Sequence, residues 1–229
     1  MTDIQCISAE VCPFAQRTLI ALLEKGIAYE HIEIDLRNKP DWFDDVSPYS
    51  KVPVLRHGDV TIYESSIVNE YLDEVFPEPA LMPKEPGARA AARVWIDFDN
   101  VKFVPAFYKV LLEQDTARRR DLAQTIVDAL RFIETSALGG RQQGPYWLGA
   151  ELSLADIAVY PHMERLCVLE AYRDIAVPAE CGRLKEWLSV MAERPSVQQT
   201  AHDADFHIAS YIRYADGTAD GTTARDMRL

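Results

Sequence analysis

Between Phe76 and Gly87 the chain carries four prolines, Pro77, Pro79, Pro83 and Pro86. Each fixes φ and lacks an N–H, so this stretch can be neither a helix interior nor a central strand. The chain must therefore divide there, and the patterns on the two sides differ in kind. Residues 1–78 mix strand-like and helix-like periods, whereas residues 87–215 keep a helical period throughout, with 79–86 as a stiff linker. Residues 216–229 are rich in Gly, Thr and Asp and read as a mobile tail.

In the first unit, Ile4 to Ser8 reads as a strand and Pro13 to Lys25 as a helix. Pro13 suits a first helical position, where its missing N–H is not needed, and Gly26 just past the end permits a left-handed stop. Leu19, Leu22 and Leu23 supply the apolar stripe. Tyr29 to Asp35 alternates as a second strand, and a short helix follows around Pro40 to Val46. Lys51 to Leu55 and Val60 to Tyr63, joined across Gly58-Asp59, form a hairpin; Ser65 then opens a helix that ends before Pro77. The order β-α-β-α-β-β-α is the thioredoxin-like α/β layout. In the second unit Trp95, Phe98, Val101 and Lys102, then Leu122, Ile126, Ala129, Leu130 and Ile133, recur at spacings of three and four. That period predicts an all-α bundle of about four to six helices.

With 229 residues and 48% hydrophobic side chains, the chain can bury a core without covalent staples. Cys6, Cys12, Cys167 and Cys181 stand too far apart for a paired metal-ligand motif or a compact disulfide framework, so a reducing cytoplasm is expected. The five histidines, His31, His57, His162, His202 and His207, show no ligand spacing, and no metal site is expected. The start of the chain has no basic cluster leading into an apolar run, and no stretch approaches about 18 apolar residues, so neither secretion nor a membrane span is expected. A net charge of −12 repels phosphate backbones, which argues against a nucleic-acid partner. Arg118-Arg119-Arg120, flanked by Asp115 and Asp121, reads as a solvated helix face.

The chemistry points to Cys12-Pro13-Phe14-Ala15-Gln16-Arg17, just after the first strand and at the mouth of the first helix. A sulfur there meets unpaired N–H groups and the positive end of the helix dipole, both of which favour thiolate, and it is the one cysteine read at a helix start. Ala15 stands where a second cysteine would be needed to close a local disulfide, so Cys12 needs an external thiol to resolve any mixed disulfide. Glu64-Ser65 opens the third helix and could serve as a cap or as an anion cradle. Ser153-Leu154-Ala155-Asp156 is a capping box with Asp in the Glu/Gln place, and its reading is structural. Cys6, Cys167 and Cys181 read as packed side chains. Trp42, Trp95, Tyr108, Trp147, Tyr160 and Tyr211 read as core or interface aromatics, some of them facing the cleft between the units.

Taken together, Cys12 to Thr18, Lys39-Pro40-Asp41-Trp42-Phe43, Val52-Pro53-Val54-Leu55, Tyr63-Glu64-Ser65 and Glu70-Tyr71-Leu72-Asp73-Glu74 resemble the omega-class cytosolic glutathione transferases over nearly the whole chain. The resemblance implies the cytosolic glutathione transferase fold and an enzyme in which Cys12 forms a mixed disulfide with glutathione. It implies that Pro53 is a cis-proline and that the Val52 backbone pairs with the cysteinyl part of glutathione. By the same resemblance Glu64 takes the γ-glutamyl ammonium, Ser65 its carboxylate, Lys39 the glycyl carboxylate, and Phe14 packs beside the sulfur. Glutathione is then a cosubstrate rather than a resident cofactor, the acceptor is a small hydrophobic or disulfide-containing molecule, and the chain is a homodimer. Thiol transfer, with dehydroascorbate reduction beside it, is the activity implied.

Two other classes share parts of this pattern. One is a partner-binding scaffold like the stringent-starvation proteins; the other resembles chloride-intracellular-channel proteins, which also carry Cys-Pro-Phe. Retention of Lys39, Val52-Pro53 and Glu64-Ser65 favours the enzyme over both. Glutathionyl-hydroquinone reductases resemble this fold too, but they have Cys-Pro-Trp and a longer chain.

Overall fold

The computed structural model describes residues 3–139 and 144–228. The first unit runs β1 (Ile4–Ser8), α1 (Pro13–Glu24), β2 (Glu30–Glu33), α2 (Phe43–Val46), β3 (Val54–His57), β4 (Val60–Tyr63) and α3 (Ser65–Val75). The sheet order is β2-β1-β3-β4; β1 and β2 are parallel, and β3 is antiparallel to both β1 and β4. Cys6 pairs with both His31 and Leu55, so β1 is a central strand, and all its residues but Gln5 are buried. Gly26, at φ 63°, ends α1 in the left-handed conformation that glycine adopts without steric cost.

The helical unit contains α4 (Pro86–Phe98), α5 (Val104–Leu112), α6 (Thr116–Phe132), α7 (Leu154–Glu164), α8 (Leu166–Arg173) and α9 (Gly182–Ala192). These six bear out the all-α reading, but with the shorter helices that follow the unit has more than the four to six read from periodicity. Four shorter helices follow: α10 (Pro195–Gln198), α11 (Ala204–Ser210), α12 (Ile212–Ala215) and α13 (Thr222–Met227). Widened π turns continue α4 over Asp99–Phe103 and α6 over Ile133–Leu138. Arg118 and Arg120 are exposed on α6, as a solvated face requires.

One apolar core runs through both units. Ile20, Ala21 and Leu22 of α1 share it with Ile157, Ala158 and Val159 of α7. At about 1.5–3 kcal/mol for each large apolar side chain buried, this shared core is the main force holding the units together. The proline linker is also tied down. Buried Lys25 donates to the carbonyls of Phe76 (2.7 Å) and Pro79 (2.8 Å), and Asp73 accepts from the N–H groups of Leu81 (2.7 Å) and Met82 (3.1 Å). Lys25 and Asp73 close the arrangement as an ion pair at 2.8 Å.

The end of the chain differs from the sequence reading. Within the stretch read as a mobile tail, α13 is formed, Ala224 is fully buried, and Asp226 pairs with Lys51 of the first unit at 2.7 Å. Met227 packs with Tyr214 against Leu112, Ala219 and Ala224. Composition reports local chain entropy, and here tertiary burial outweighs it.

The capping box at Ser153 is present, and Asp156 does more than cap. Its carboxylate accepts from Ser153 N (2.9 Å) and Oγ (2.7 Å), from Trp147 N (2.6 Å) and from Trp187 Nε1 (2.8 Å), in full burial. Asp156→Ala would strand several buried donors at about 1–3 kcal/mol each, so a loss of about 3–5 kcal/mol is expected in urea unfolding. A loss below about 1 kcal/mol, the scale of a cap alone, would show that these bonds add little.

Candidate functional site

β1 ends in a short turn in which Cys12 N donates to Ala9 O (2.8 Å), and Pro13 starts α1 immediately afterwards. Cys12 is the extended N-cap residue and is half-buried. Its thiol donates to the carbonyl oxygen of Val52, 3.8 Å away. The Val52–Pro53 peptide is cis, and both residues are buried. Cys12 and Val52 are therefore brought together directly.

The electrostatics of Cys12 differ from the helix-start expectation. Burial pushes the thiol above its ordinary value of 9.0, against the N–H groups of Ala15 and Phe14 and the charges of Arg165 and Arg17. Desolvation disfavours the charged sulfur more than these donors and cations favour it. A helix start is also not unique to Cys12. Cys181 is the N-cap residue of α9, yet it is fully buried beside Glu134 and Glu180, and its thiol is pushed up as well. Cys6 is buried in β1 with its thiol pushed up to about 12, while Cys167 is half-buried rather than fully packed.

Glu64 and Ser65 open α3. Glu64 is exposed at φ 70°, a left-handed conformation that strains a residue with a Cβ by about 1–3 kcal/mol and recurs at ligand clamps. The first N–H groups of the helix lie beside it with no intrahelical acceptor. Ser65 is buried, and its Oγ accepts from Arg17 Nη1 at 3.2 Å. Lys39 is half-buried and donates to Ser50 O (2.7 Å) and Ser50 Oγ (2.8 Å), pinning the loop that leads to Val52. Burial lowers its ammonium's pKa, opposed by Asp44 and reinforced by Arg225 of α13. The ring contacts of Phe14 are with His162 (4.9 Å, edge-on) and with the guanidinium of Arg17 (4.7 Å), so this side chain faces the helical unit.

Arg17 is the hub that the sequence reading did not assign. It is buried, ion-paired with Asp99, and donates to Asn100 Oδ1 at 2.8 Å. The π turn after α4 presents Asp99 and Asn100 together. His162 lies 3.3 Å from Arg17, and burial pushes its imidazole down to about 4, so it is neutral near pH 7. The available signal was a polar pair continuing the apolar stripe of α4, and a histidine in α7, whose residues from Leu154 to Met163 are all buried. A polar side chain in such a run requires a partner.

Three tyrosines form a cluster within electrostatic reach of Cys12. The Tyr108 and Tyr211 hydroxyls are 3.2 Å apart, their rings stack at 6.0 Å, and Tyr214 lies 5.2 Å from Tyr108. All three phenols are pushed up, chiefly by burial, and each feels the charge of Cys12. Trp147 and Tyr160 are buried in the core, while Trp42 is exposed and Trp95 partly buried. Among the described residues, no cluster of three or more His, Cys, Asp or Glu could hold a metal, and no helix is long and apolar enough to cross a membrane.

Comparison with known proteins covers both units. Residues 11–75 match the family model described as the glutathione S-transferase N-terminal domain, and residues 115–189 match the corresponding C-terminal domain. Glutathione S-transferase omega-1 of Sus scrofa is 33% identical over 195 residues, covering 85% of this chain and 78% of the relative. The crystal structure of glutathione transferase Omega 3C from Trametes versicolor superposes with a TM-score of 0.84 at 30% identity, covering 94% of this chain and 91% of that one. Rice GST1, solved in complex with glutathione, gives a TM-score of 0.82 at 28% identity, covering 91% of this chain and 96% of its own.

Proposed function

This chain belongs to the glutathione S-transferase family and is a glutathione S-transferase enzyme, and from that premise we propose that it is a thiol transferase whose nucleophile is Cys12. The observation that carries the proposal is a half-buried sulfur at the mouth of α1, facing the Val52 backbone at 3.8 Å. Cys12 as thiolate attacks the glutathionyl sulfur of a mixed disulfide. A new S–S bond forms, the old one breaks, and the acceptor leaves as a thiolate that takes up a proton. The thiolate of a second glutathione then attacks the same sulfur, releasing glutathione disulfide and regenerating Cys12. The net exchange converts a mixed disulfide and one glutathione into a free thiol and glutathione disulfide.

In this reading Val52 offers its carbonyl to the cysteinyl amide of glutathione, which takes the acceptor now used by the Cys12 thiol. Ser65 and the leading N–H groups of α3 hold the γ-glutamyl carboxylate, Glu64 holds the ammonium, and Lys39 meets the glycyl carboxylate. Phe14 and the tyrosine cluster border a small hydrophobic or disulfide-containing acceptor, with dehydroascorbate as a second one. A cytoplasmic homodimer completes the proposal.

Calorimetry with glutathione tests the binding assignment. Loss of a hydrogen bond to a charged group amounts to about 1.5–3 kcal/mol, so Ser65→Ala should weaken Kd by roughly 10- to 100-fold. Lys39→Ala, at a more solvated position, should weaken it by about 2- to 5-fold. Affinities unchanged in both variants would remove the site assignment.

A further inference from the structure

Two cations act on the Cys12 sulfur, Arg165 more strongly than Arg17, and they are held differently. Arg17 is neutralised by direct pairing with Asp99. Arg165, between α7 and α8, is fully buried, with Nη1 donating to Gln16 Oε1 (2.6 Å) and Pro161 O (2.6 Å). Its Nε has no hydrogen-bond partner among the described residues, and beyond Nη1 the phenol of Tyr211 is in hydrogen-bonding contact with the guanidinium. A buried guanidinium that is not fully paired lowers stability and calls for an explanation. Gln16 lies one turn beyond Cys12 on α1, its N–H bonded to Cys12 O at 3.0 Å, so the clamp ties Arg165 to the helix that carries the sulfur.

Most groups around Arg165 cannot cancel its charge. On α7, Tyr160 is pushed up by burial and His162 is pushed down, so both are neutral near pH 7. On α8, Cys167 is pushed up. The phenol of Tyr211, at the α11–α12 junction, interacts with Arg165 but is itself pushed up by burial and stays neutral. Among the described residues Glu164 offers the one carboxylate against Arg165, at 3.4 Å, and its Oε2 also serves Gln16 Nε2 (2.9 Å) and lies 3.2 Å from His207 Nε2 of α11.

We propose that Arg165 is the electrostatic positioning residue of the reaction: clamped by Gln16 and only partly neutralised, its guanidinium stabilises the negative charge that Cys12 carries as attacking and as leaving sulfur. The inference rests on Cys12 being the nucleophile, and it assigns the charge that balances the desolvation of that sulfur. In this role Arg165 acts through Cys12.

The test is the pH dependence of iodoacetamide reaction at Cys12 in the full-length protein, with the adduct mapped by mass. Arg165→Gln should move the midpoint up by about one pH unit and slow reaction at pH 7.5 by roughly tenfold, since each unit is a tenfold change in thiolate. Arg165→Lys, which keeps the charge, should stay within about threefold of the parent at that pH. Glu164→Gln removes the one nearby carboxylate and should move the midpoint down, so the sign of the effect can be read even if Arg165→Gln does not fold. An unchanged midpoint in folded Arg165→Gln, or one that does not fall in Glu164→Gln, overturns the proposal. Alkylation reads the thiol whatever the catalysed reaction, so this outcome is separate from the turnover test of Cys12 itself.

Discussion

Cys12→Ser is expected to lose deglutathionylation of a glutathionylated peptide by on the order of a thousandfold or more, the scale on which removal of a covalent nucleophile acts. Serine is close in size to cysteine, but its hydroxyl cannot form or exchange a disulfide. The first turn of α1 and the backbone of Val52 do not depend on the sulfur, so glutathione affinity should fall by no more than a few-fold. Cys167→Ser should retain turnover, because the Cys167 thiol donates to the carbonyl of Glu164, at 3.6 Å, and not toward the reacting sulfur. Cys6→Ser buries a hydroxyl in the apolar core, at a stability loss of about 1–3 kcal/mol, whereas Cys181→Ser places serine at the N-cap of α9, where serine is favoured; neither change touches the reacting sulfur. Substantial turnover in purified Cys12→Ser would remove the nucleophile from the account.

The second large effect is expected at Asp99. Both partners of the Arg17–Asp99 pair are about 1% exposed, and removing one partner of a buried pair costs about 3–5 kcal/mol because the other charge is left uncompensated. Asp99→Ala should lower urea-unfolding stability by that amount. It should also weaken glutathione binding, since Arg17 then loses the anchor that aims it at Ser65. The comparison belongs at pH 7 or above. His162 titrates near 4 in the fold against 6.5 when free, so the unfolded chain binds the extra proton between those values, and stability falls as pH drops through that window. A loss under about 1 kcal/mol, with glutathione binding unchanged, would mean that the pair neither holds the units together nor supports Ser65.

Which features were legible in the sequence follows from the range of the forces involved. The bounds of β1, β4 and the start of α1 coincide with the reading, because alternation, Pro13 and Gly26 act within a few residues. Cys12 could be located the same way. Its thiol's direction could not, since desolvation comes from chain brought in from elsewhere, and a helix start alone also describes the buried Cys181. Arg17 was in view within the Cys12 motif, but its partners Asp99 and His162 lie 82 and 145 residues away, and it takes the packing of α1 on α7, with the π turn after α4 beside them, to bring the three together. The same holds for α13. A stretch rich in Gly, Thr and Asp reads as mobile, whereas Ala224 and Met227 pack it against Leu112 and Tyr214 of the helical unit and the Lys51–Asp226 pair ties it to the first unit.

The most direct test of the account is intact-mass measurement after incubation with oxidised glutathione, followed by peptide mapping. One glutathionyl group, a gain of about 305 Da that is reversed by a reducing thiol, is expected on Cys12 and on no other cysteine. A protein that stays unmodified, or an adduct that maps to Cys6, Cys167 or Cys181, would contradict it.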